Sequence, residues 1–207
     1  RWRHCVSGVP TAAKAVQDAE LALCAIAKRH AASALSAARA QLQIGLLQKE
    51  VDIKEDDTLG SLYFNELFPL GVEAMLESVD LVRDGNAPKI VQDESQATYE
   101  SWCKKEDVEI DWAAATEETY NLIRGANPQP GAWTIHEGQT LKIFDCEKTL
   151  EVRGHPGEIL SIDDKGIVVA TGDGGICIQR VRPEGAGKMS VQDYISTQQL
   201  EIGTHLG

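Results

Sequence analysis

The sequence predicts an α/β region followed by a small β-barrel. Upstream of residue 124, apolar residues recur mainly at helical spacing, whereas downstream of residue 134 they come in short runs bounded by turn residues. Between these regions, Arg124–Thr134 contains two prolines, two glycines and an asparagine. Such a stretch neither continues a helix nor lies inside a central strand. We interpret it as a shaped loop that fixes how two units face each other, or as a plain linker, because its composition fits both.

The composition is that of a globular protein. Of 207 residues, 43% are hydrophobic and 25% are charged. No apolar run approaches the roughly 18 residues that a membrane span needs, so no membrane partner is expected. The net charge of −12 disfavours broad nucleic-acid binding, which depends on phosphate neutralisation. The charge is uneven, since residues 1–48 carry +4 (6 − 2) and the others −16 (14 − 30), which indicates a different origin or role for the first stretch.

The five cysteines and five histidines are scattered along the chain, and neither Cys-x-x-Cys nor His-x-x-x-His spacing occurs. This pattern predicts free thiols in a reducing, cytoplasmic compartment and predicts no metal site. It does not predict an oligomeric state.

The first 53 residues divide into two parts. Residues 11–43 are rich in alanine and other strong helix formers but carry only a loose apolar stripe. We therefore describe residues 1–44 as a helix-forming segment without an assigned role. Residues 45–53 predict a short strand.

Two helices are predicted next. Thr58, after two aspartates, supplies the N-cap of the first, and Pro69 suits the first turn of a second or kinked helix. From Val72 to Val82, apolar residues recur on one face that we expect to be core, and Gly85 ends this helix.

An extended acidic passage follows over residues 98–112, with the spacing of a strand edge near its end. Thr116 is predicted to cap a further helix that turns Tyr120 and Ile123 inward and stops at Gly125.

Beyond the loop, four short runs are predicted strands: residues 140–144, 158–162, 167–171 and 176–181. The glycine-rich stretch Gly172–Gly175 looks like a phosphate loop, but it lies between two strands, so we predict a hairpin turn. Ser190 starts a short helix, and the chain ends on a small strand. Several short strands with one inserted helix indicate a barrel of OB type.

Several stretches together resemble the folate-dependent formyltransferase family. Their order and spacing over roughly 160 residues carry the resemblance, since no single piece is specific. The pieces before the loop are Leu46–Val51, Asp56–Tyr63, Leu67–Val72, Ala97–Tyr99, Lys104–Asp107 and Ile110–Trp112. The loop piece and those after it are Ile123–Thr134, Gly166–Gly174, Pro183, Gly187–Asp193 and Gly203–Gly207.

The resemblance implies the later part of a Rossmann-like formyltransferase domain over residues 45–125. A linker loop over residues 126–137 and an OB-like C-terminal domain over residues 138–207 would follow. It implies formyl transfer from 10-formyltetrahydrofolate to an amine such as methionyl-tRNA, or to water.

The catalytic set that the resemblance implies is missing. The family carries an Asn, a His in a His-Pro-Ser-Leu-Leu-Pro-like motif, and an Asp just before the strand that matches Leu46–Glu50. The His-Pro pair of this chain, His155-Pro156, is followed by Gly-Glu, and Gln43-Ile44 stands where the Asp is expected. No catalytic residue is therefore predicted, and we expect the chain alone to be inactive because formyl transfer needs an oxyanion donor and a base.

Alternatives remain open for the function. The chain is either part of a formyltransferase or hydrolase, or a non-catalytic binding module whose barrel contacts an acceptor such as tRNA. Residues 1–43 are also consistent with a rearranged N-terminus. The basic residues of the barrel form either a modest patch or scattered solubilising charges: Lys142, Lys148, Arg153, Lys165, Arg180, Arg182 and Lys188.

The resemblance implies five residual substrate-binding residues around the loop: Arg124, Asn127, Pro130, Gly131 and Trp133. Trp133 is also expected to be buried against the first unit.

Overall fold

The computed structural model describes residues 39–44, 47–88, 102–198 and 200–207, and for residues 39–44 it describes the backbone alone. By their contacts, these residues divide into two compact units, the first ending at Trp102 and the second beginning at Cys103. This division precedes the predicted boundary after residue 125. The two units are described separately below.

The first unit begins with an antiparallel hairpin. Strand β1 (Arg39–Ile44) pairs with β2 (Leu47–Asp52), so that Arg39 lies opposite Asp52. The strand predicted near residues 45–53 is confirmed. The helix predicted through residue 43 is wrong for residues 39–43, because pairing with β2 satisfies their backbone groups and overrides a modest helix propensity. The remaining predicted helical segment lies outside the described residues.

Helix α1 (Leu59–Leu62) starts at the predicted cap. Ser61 N–H donates to Oγ1 of Thr58, and Thr58 N–H donates to Oγ of Ser61, both at 3.0 Å. A π-helical segment (Tyr63–Leu67) joins α1 directly to helix α2 (Phe68–Arg83), whose first turn contains Pro69. The predictions for Thr58 and Pro69 are confirmed.

The apolar stripe of α2 is exposed, contrary to the prediction that it is core. Of its five members, Met75 is half-buried against Ala74, and the other four are 50–63% exposed: Val72, Leu76, Val79 and Val82. The buried side of the helix instead carries the small residues Ala74 and Ser78, and Leu47 of β2 packs against Ala74. Lys49 Nζ of β2 also lies 2.9 Å from a carboxylate oxygen of Glu77. The helix therefore turns its small residues toward the hairpin, which covers one side of it.

The second unit is built on a six-stranded antiparallel sheet with the order β3-β4-β7-β6-β5, and β8 pairs with β7. Its strands are β3 (Ala132–His136), β4 (Gln139–Thr149), β5 (Ile159–Asp163), β6 (Gly166–Ala170), β7 (Gly175–Pro183) and β8 (Met189–Ser190). The four predicted strands are confirmed. Their inward side chains form the core, and six large ones among them are at most 1% exposed: Ile143, Ile159, Val169, Ile176, Ile178 and Val181.

Helix α3 (Thr116–Gly125) packs on this sheet, so it belongs to the second unit. The burial of Tyr120 and Ile123 and the end at Gly125 are as predicted. Thr116 does not cap the helix itself, because it is the first helical residue. Asp173, in the β6–β7 turn, takes that role: its Oδ1 accepts the Thr116 N–H at 2.7 Å and the Thr116 hydroxyl at 2.8 Å. The residues 172–175 thus form the predicted hairpin turn, and this turn caps a distant helix.

We expect Asp173→Ala to lower the free energy of unfolding by about 1 kcal/mol, the usual cost of losing a helix cap. The hydrogen bonds from the Thr116 backbone and side chain hold the pKa of Asp173 below its usual value of 3.8. Because the pKa of Asp173 is lower in the folded chain than in the unfolded chain, its ionised carboxylate stabilises the fold at pH values above the unfolded-state pKa. This stabilisation is lost as the pH falls through the folded-state pKa. Denaturant titrations at pH 7 and at about pH 3 would measure the difference. The exposed Asp164→Ala is the control, and an equal loss in both variants would contradict the cap.

The C-terminal tail links the two ends of the strand order. Beside β5, the N–H of Ile159 donates to the carbonyl of Thr204 at 2.8 Å, and Leu206 N–H donates to the Gly157 carbonyl at 2.9 Å. At the other edge, Gly207 N–H donates to the carbonyl of Ile135 in β3 at 2.8 Å. The tail therefore joins the β5 and β3 edges, although it forms a bridge rather than the predicted strand.

The buried tryptophan near the tail is Trp112, which is 5% exposed and donates its indole N–H to Oγ1 of Thr134 at 3.0 Å. Trp133 is half-buried, and its indole N–H donates to the backbone carbonyl of Lys105 at 2.8 Å. Lys105 belongs to a 3-10 turn (Lys105–Val108) of the same unit. The burial expected for Trp133 is thus found only in part, and its partner lies within the second unit.

Two further sequence predictions concern the cysteines and membrane-spanning helices. Cys146 and Cys177 are free thiols, but Cys103 is disulfide-bonded, so the prediction of free thiols is wrong for Cys103. Of the helices in the described residues, none combines the length and hydrophobicity of a transmembrane span.

Candidate functional site

The loop Ala126–Gly131 connects helix α3 to strand β3, and hydrogen bonds hold both of its ends. Gly131 N–H donates to the Ala126 carbonyl at 2.9 Å, and Gly131 has a φ of 83°, which favours glycine. The amide of Asn127 donates to the carbonyl of Phe144 at 3.3 Å. The peptide bonds before Pro128 and Pro130 are both cis. The predicted linker loop therefore lies within one unit, and part of its predicted range, residues 132–136, is strand β3.

Four of the five predicted binding residues lie along strand β4, three of them against the side chain of Lys142. Its Nζ donates to the Pro130 carbonyl at 2.6 Å. A Cβ at Gly131 would lie 3.2 Å from Cδ of Lys142, and Trp133 is the strand neighbour of Lys142 across β3 and β4. Asn127 lies two residues further along β4, where its amide donates to the Phe144 carbonyl. These residues are therefore brought together.

Arg124 is the exception. It is 7% exposed on the buried face of α3, and its Nε donates to Oδ1 of Asn121 at 2.7 Å. The structure places it inside the unit, where a helix side chain orients it, and not on the surface around Lys142.

A group of basic residues surrounds Lys142, and we call it the basic cluster: Lys105, Lys142, Arg180, Arg182 and Lys188. In the sheet, Lys142 pairs with Arg182, and Arg180 pairs with Asp145, whose carboxylate lies 3.1 Å from the Arg180 Nε. Four of the seven basic residues singled out from the sequence are in this cluster. Lys105 was missed because it precedes the loop and reaches the cluster only through the fold.

The other three basic residues lie elsewhere. Lys148 pairs with Glu117 of α3 at 2.9 Å, and Arg153 donates to backbone carbonyls, including that of Asp173 at 2.7 Å. Lys165 lies exposed between β5 and β6. Four of the seven basic residues therefore form a patch, whereas the other three are scattered.

The electrostatics of the basic cluster are those of cations held close together. Burial, followed by the charges of Arg182 and Lys105, lowers the pKa of Lys142. Burial also lowers the pKa of Lys188, with Arg180 and Arg182 adding to the effect while Asp145 opposes it. Such a cluster favours the binding of an anion, because an anion relieves the mutual repulsion.

Two aromatic rings lie among the cations. Lys105 Nζ is 4.6 Å from the centre of the Trp133 ring system, and Lys188 Nζ is 3.7 Å from the ring centre of Phe144. Basic side chains interleaved with aromatic rings are typical of surfaces that bind nucleic-acid backbones and bases.

A small cavity of about 120 Å³ lies between the β3–β4 hairpin and helix α4 (Val191–Thr197). His136 lines it, as does Tyr194, whose hydroxyl is 2.7 Å from Nδ1 of His136. Burial raises the pKa of Tyr194 to about 12, with the charge of Glu137 adding to the effect. Elsewhere in the described residues, His155 is exposed on a loop, and no three metal-binding side chains lie together.

The fold and this surface define an antiparallel domain with one cationic, partly aromatic face. Residues 103–199 match the family model described as "Formyl transferase, C-terminal domain". Over 164 residues, the chain is 38% identical to methionyl-tRNA formyltransferases of Bacillus licheniformis and Bacillus mycoides. Each match covers 78% of this chain and 52% of the relative, so the chain spans about half the length of these curated relatives.

Solved structures share the fold. HypX from Aquifex aeolicus in complex with tetrahydrofolic acid has a TM-score of 0.59 at 20% identity, over 77% of this chain and 31% of that protein. A variant of the same HypX has a TM-score of 0.68 at 17% identity, over 89% of this chain and 36% of that one. Residues 103–199 thus carry a formyl transferase C-terminal domain, which confirms the resemblance for the C-terminal part of the family.

Proposed function

We propose that this chain is part of a 10-formyltetrahydrofolate-dependent formyltransferase and that its second unit contacts the formyl acceptor, methionyl-tRNA. The basic cluster carries this proposal, because five cations and two aromatic rings share one face of a domain that matches the relatives' C-terminal domain. Water as acceptor would not require such a face. The chain's net charge of −12 repels RNA elsewhere, so contact is confined to this face.

We further propose that the domain is a barrel of OB type and that the first unit is the later part of a Rossmann-like domain. The tail supports the first part, since it joins the β3 and β5 edges, and edge closure defines a barrel. The similarity to methionyl-tRNA formyltransferases extends into the first unit and supports the second part.

Neither the cavity beside His136 nor the loop Asn127–Trp133 is by itself a folate site. The cavity beside His136 is about 120 Å³, whereas pockets for ligands of drug size measure about 300–1,000 Å³. At the loop, the Asn127 amide and the Pro130 carbonyl are already engaged with Phe144 and Lys142. We therefore assign the stretch Asn127–Trp133 one wall of a donor site and derive no chemical step from it.

Binding of initiator methionyl-tRNA to the chain tests the acceptor contact. We expect Lys142→Ala and Arg182→Ala each to weaken binding severalfold and to reduce the salt dependence of log K by about one unit per lost phosphate contact. Filter binding or fluorescence anisotropy between 50 and 200 mM salt measures both quantities.

Lys165→Ala is the matched control for tRNA binding, because it removes the same charge from the exposed end of β5. The Lys165→Ala chain should bind tRNA with the same affinity as the unmodified chain. Absence of tRNA binding, or equal weakening by all three substitutions, would contradict the proposed contact.

We expect the chain alone to show no formyl transfer and no hydrolysis of 10-formyltetrahydrofolate. The motivating observation is that the His-Pro pair, His155-Pro156, lies in an exposed loop of the second unit, while Gln43-Ile44 stands where the family pattern has Asp. Release of tetrahydrofolate, followed with and without methionyl-tRNA, is the measurement. Turnover at about 1 s⁻¹, an ordinary enzyme rate, would show that other residues do the chemistry.

A further inference from the structure

One side of the first unit carries a continuous row of exposed apolar side chains. The row begins in the π-helical segment and runs through α2, and its members recur at spacings of four and then three residues, which places them on one side of the helix. At 1.5 Å per residue, the row is about 25 Å long. We call these residues, which are 50–65% exposed, the exposed face: Phe64, Phe68, Val72, Leu76, Val79 and Val82.

The aromatic end of the exposed face is compact. The ring centres of Phe64 and Phe68 lie 4.9 Å and 6.1 Å from that of Tyr63, so the two rings lie close together across the π-helical segment. Monomeric soluble proteins rarely expose a contiguous apolar patch of this kind, and such patches mark sites of protein contact.

The opposite side of α2 already has its partner. Ala74 and Ser78 are at most 5% exposed, and Leu47 of the hairpin packs against Ala74. A helix with buried residues on one side and large apolar residues on the other is typical of a helix that lies between two layers of a domain. Among the described residues of the first unit, the hairpin supplies one of these layers.

The relatives contain enough additional sequence for the second layer. The match to the Bacillus enzymes covers 52% of each relative and 78% of this chain, and a match of that length within 207 residues includes the exposed face. Because the family's C-terminal domain falls at residues 103–199, the unmatched half of each relative largely precedes the matched part. The segment that carries the exposed face therefore follows this N-terminal half directly in the relatives.

Electrostatics disfavour a second copy of this chain on the exposed face. Three carboxylates lie along one edge of the face, since each follows one of its members by one residue: Glu73, Glu77 and Asp80. Their partners, Lys49 and Arg83, form surface ion pairs with them. Two copies packed through this face would bring these acidic edges together, and each chain carries a net charge of −12.

We infer that the exposed face binds the N-terminal half of a formyltransferase, a polypeptide equivalent to the part of the relatives that precedes the match. Helix α2 then lies between the hairpin and an apolar layer of this partner. Phe64 and Phe68 are its aromatic anchors, the residue type that contributes most at interfaces. This inference rests on the proposed function, in which the first unit is the later part of a Rossmann-like domain, and it adds the surface through which the two parts join.

The first test adds the N-terminal half of the Bacillus licheniformis methionyl-tRNA formyltransferase to this chain as a separate polypeptide. We expect analytical ultracentrifugation to show a one-to-one complex. Leu76→Glu and Val79→Glu should each weaken this complex by about tenfold or more, because each places a charge in an apolar contact. Asn65→Glu is the matched control, since it adds the same charge at an exposed position outside the face, and it should change the affinity by less than about twofold.

Coexpression keeps the inference testable if the added half does not fold by itself. With the unmodified chain, the added half should stay soluble and copurify, whereas with the Leu76→Glu chain it should precipitate. Precipitation with both chains would overturn the inference.

Measurements on the chain alone test the other occupants of the exposed face. Leu76 is 63% exposed, so Leu76→Glu should leave the denaturation midpoint unchanged. A lowered midpoint would show that this chain covers the face itself. A dimer of the unmodified chain that Leu76→Glu dissociates would assign the face to a second copy. Either result would overturn the inference, as would a complex with the added half that Leu76→Glu does not weaken.

Binding of tRNA separates this inference from the proposed acceptor contact. The Leu76→Glu chain keeps the basic cluster of the second unit and should bind tRNA like the unmodified chain. A complex with the added half but no tRNA binding would contradict the acceptor contact alone. Binding of tRNA without any complex would overturn this inference alone.

Discussion

Trp112→Ala is expected to lower the free energy of unfolding of the second unit by about 3–5 kcal/mol, the usual cost of truncating a buried large aromatic residue. The indole is 5% exposed and donates to the hydroxyl of Thr134, itself 2% exposed. A Cβ placed at Gly157 or at Gly207 would lie 3.5 Å from its Cδ1, so the ring supports the tail as well as the core. Equilibrium denaturation followed by circular dichroism is the measurement.

Two further variants make the Trp112 result decisive. Trp112→Phe keeps an aromatic ring but leaves the Thr134 hydroxyl without its donor, so an intermediate loss is expected even if Trp112→Ala does not fold. Trp102→Ala removes a tryptophan that is 57% exposed and should change stability by less than about 0.5 kcal/mol. A loss of less than about 1 kcal/mol for Trp112→Ala would show that the ring does not support the domain.

Gly157→Ala is expected to cost about 2–5 kcal/mol and to release the C-terminal tail. Gly157 has a φ of 86°, which costs an alanine about 1–2 kcal/mol. A Cβ there would also lie 2.6 Å from the Leu206 carbonyl oxygen, a backbone atom that moves only if the tail moves. Overpacking of this kind adds about 1–3 kcal/mol. Hydrogen exchange at the Leu206 amide would report the release directly.

Gly138→Ala is the matched control for Gly157→Ala. Gly138 has a similar φ of 78°, but nothing lies within 4 Å of a Cβ at this position. It therefore measures the backbone strain alone, about 1–2 kcal/mol. If both alanine variants lose the same stability and the Leu206 amide stays protected, the contact between Gly157 and the tail is not what holds the tail.

Local patterns predicted the elements of this protein well. The strands over residues 139–183 and helix α3 follow from short-range apolar spacing, and the turn at residues 172–175 follows from its glycines. The cap at Thr58 was likewise readable, because a capping box involves residues only three apart. The family was recognised from the order of short stretches and was confirmed by comparison.

Contacts between distant segments were not predicted, because they depend on which elements meet. The α2 stripe has the spacing of a core face, yet the small residues Ala74 and Ser78 face the hairpin. Trp112 and Trp133 look equivalent in sequence, but the fold buries only the first. The loop at residues 126–131 joins two elements of one unit because α3 packs on the sheet, and apolar spacing does not say on what a helix packs.

The sequence by itself thus determined the short-range elements, which depend on neighbouring residues, and the family, which the order of the short stretches carries. The tertiary structure decided the candidate site. It selected Lys142, Arg180, Arg182 and Lys188 from seven basic residues and added Lys105 from before the loop. It also buried His136 against Tyr194, 58 residues away, and left one ring nitrogen without a partner. Antiparallel pairing of the strands and the packing of helix α4 on the sheet bring these side chains together, and the distances that decide their charges and hydrogen bonds exist only in the folded chain.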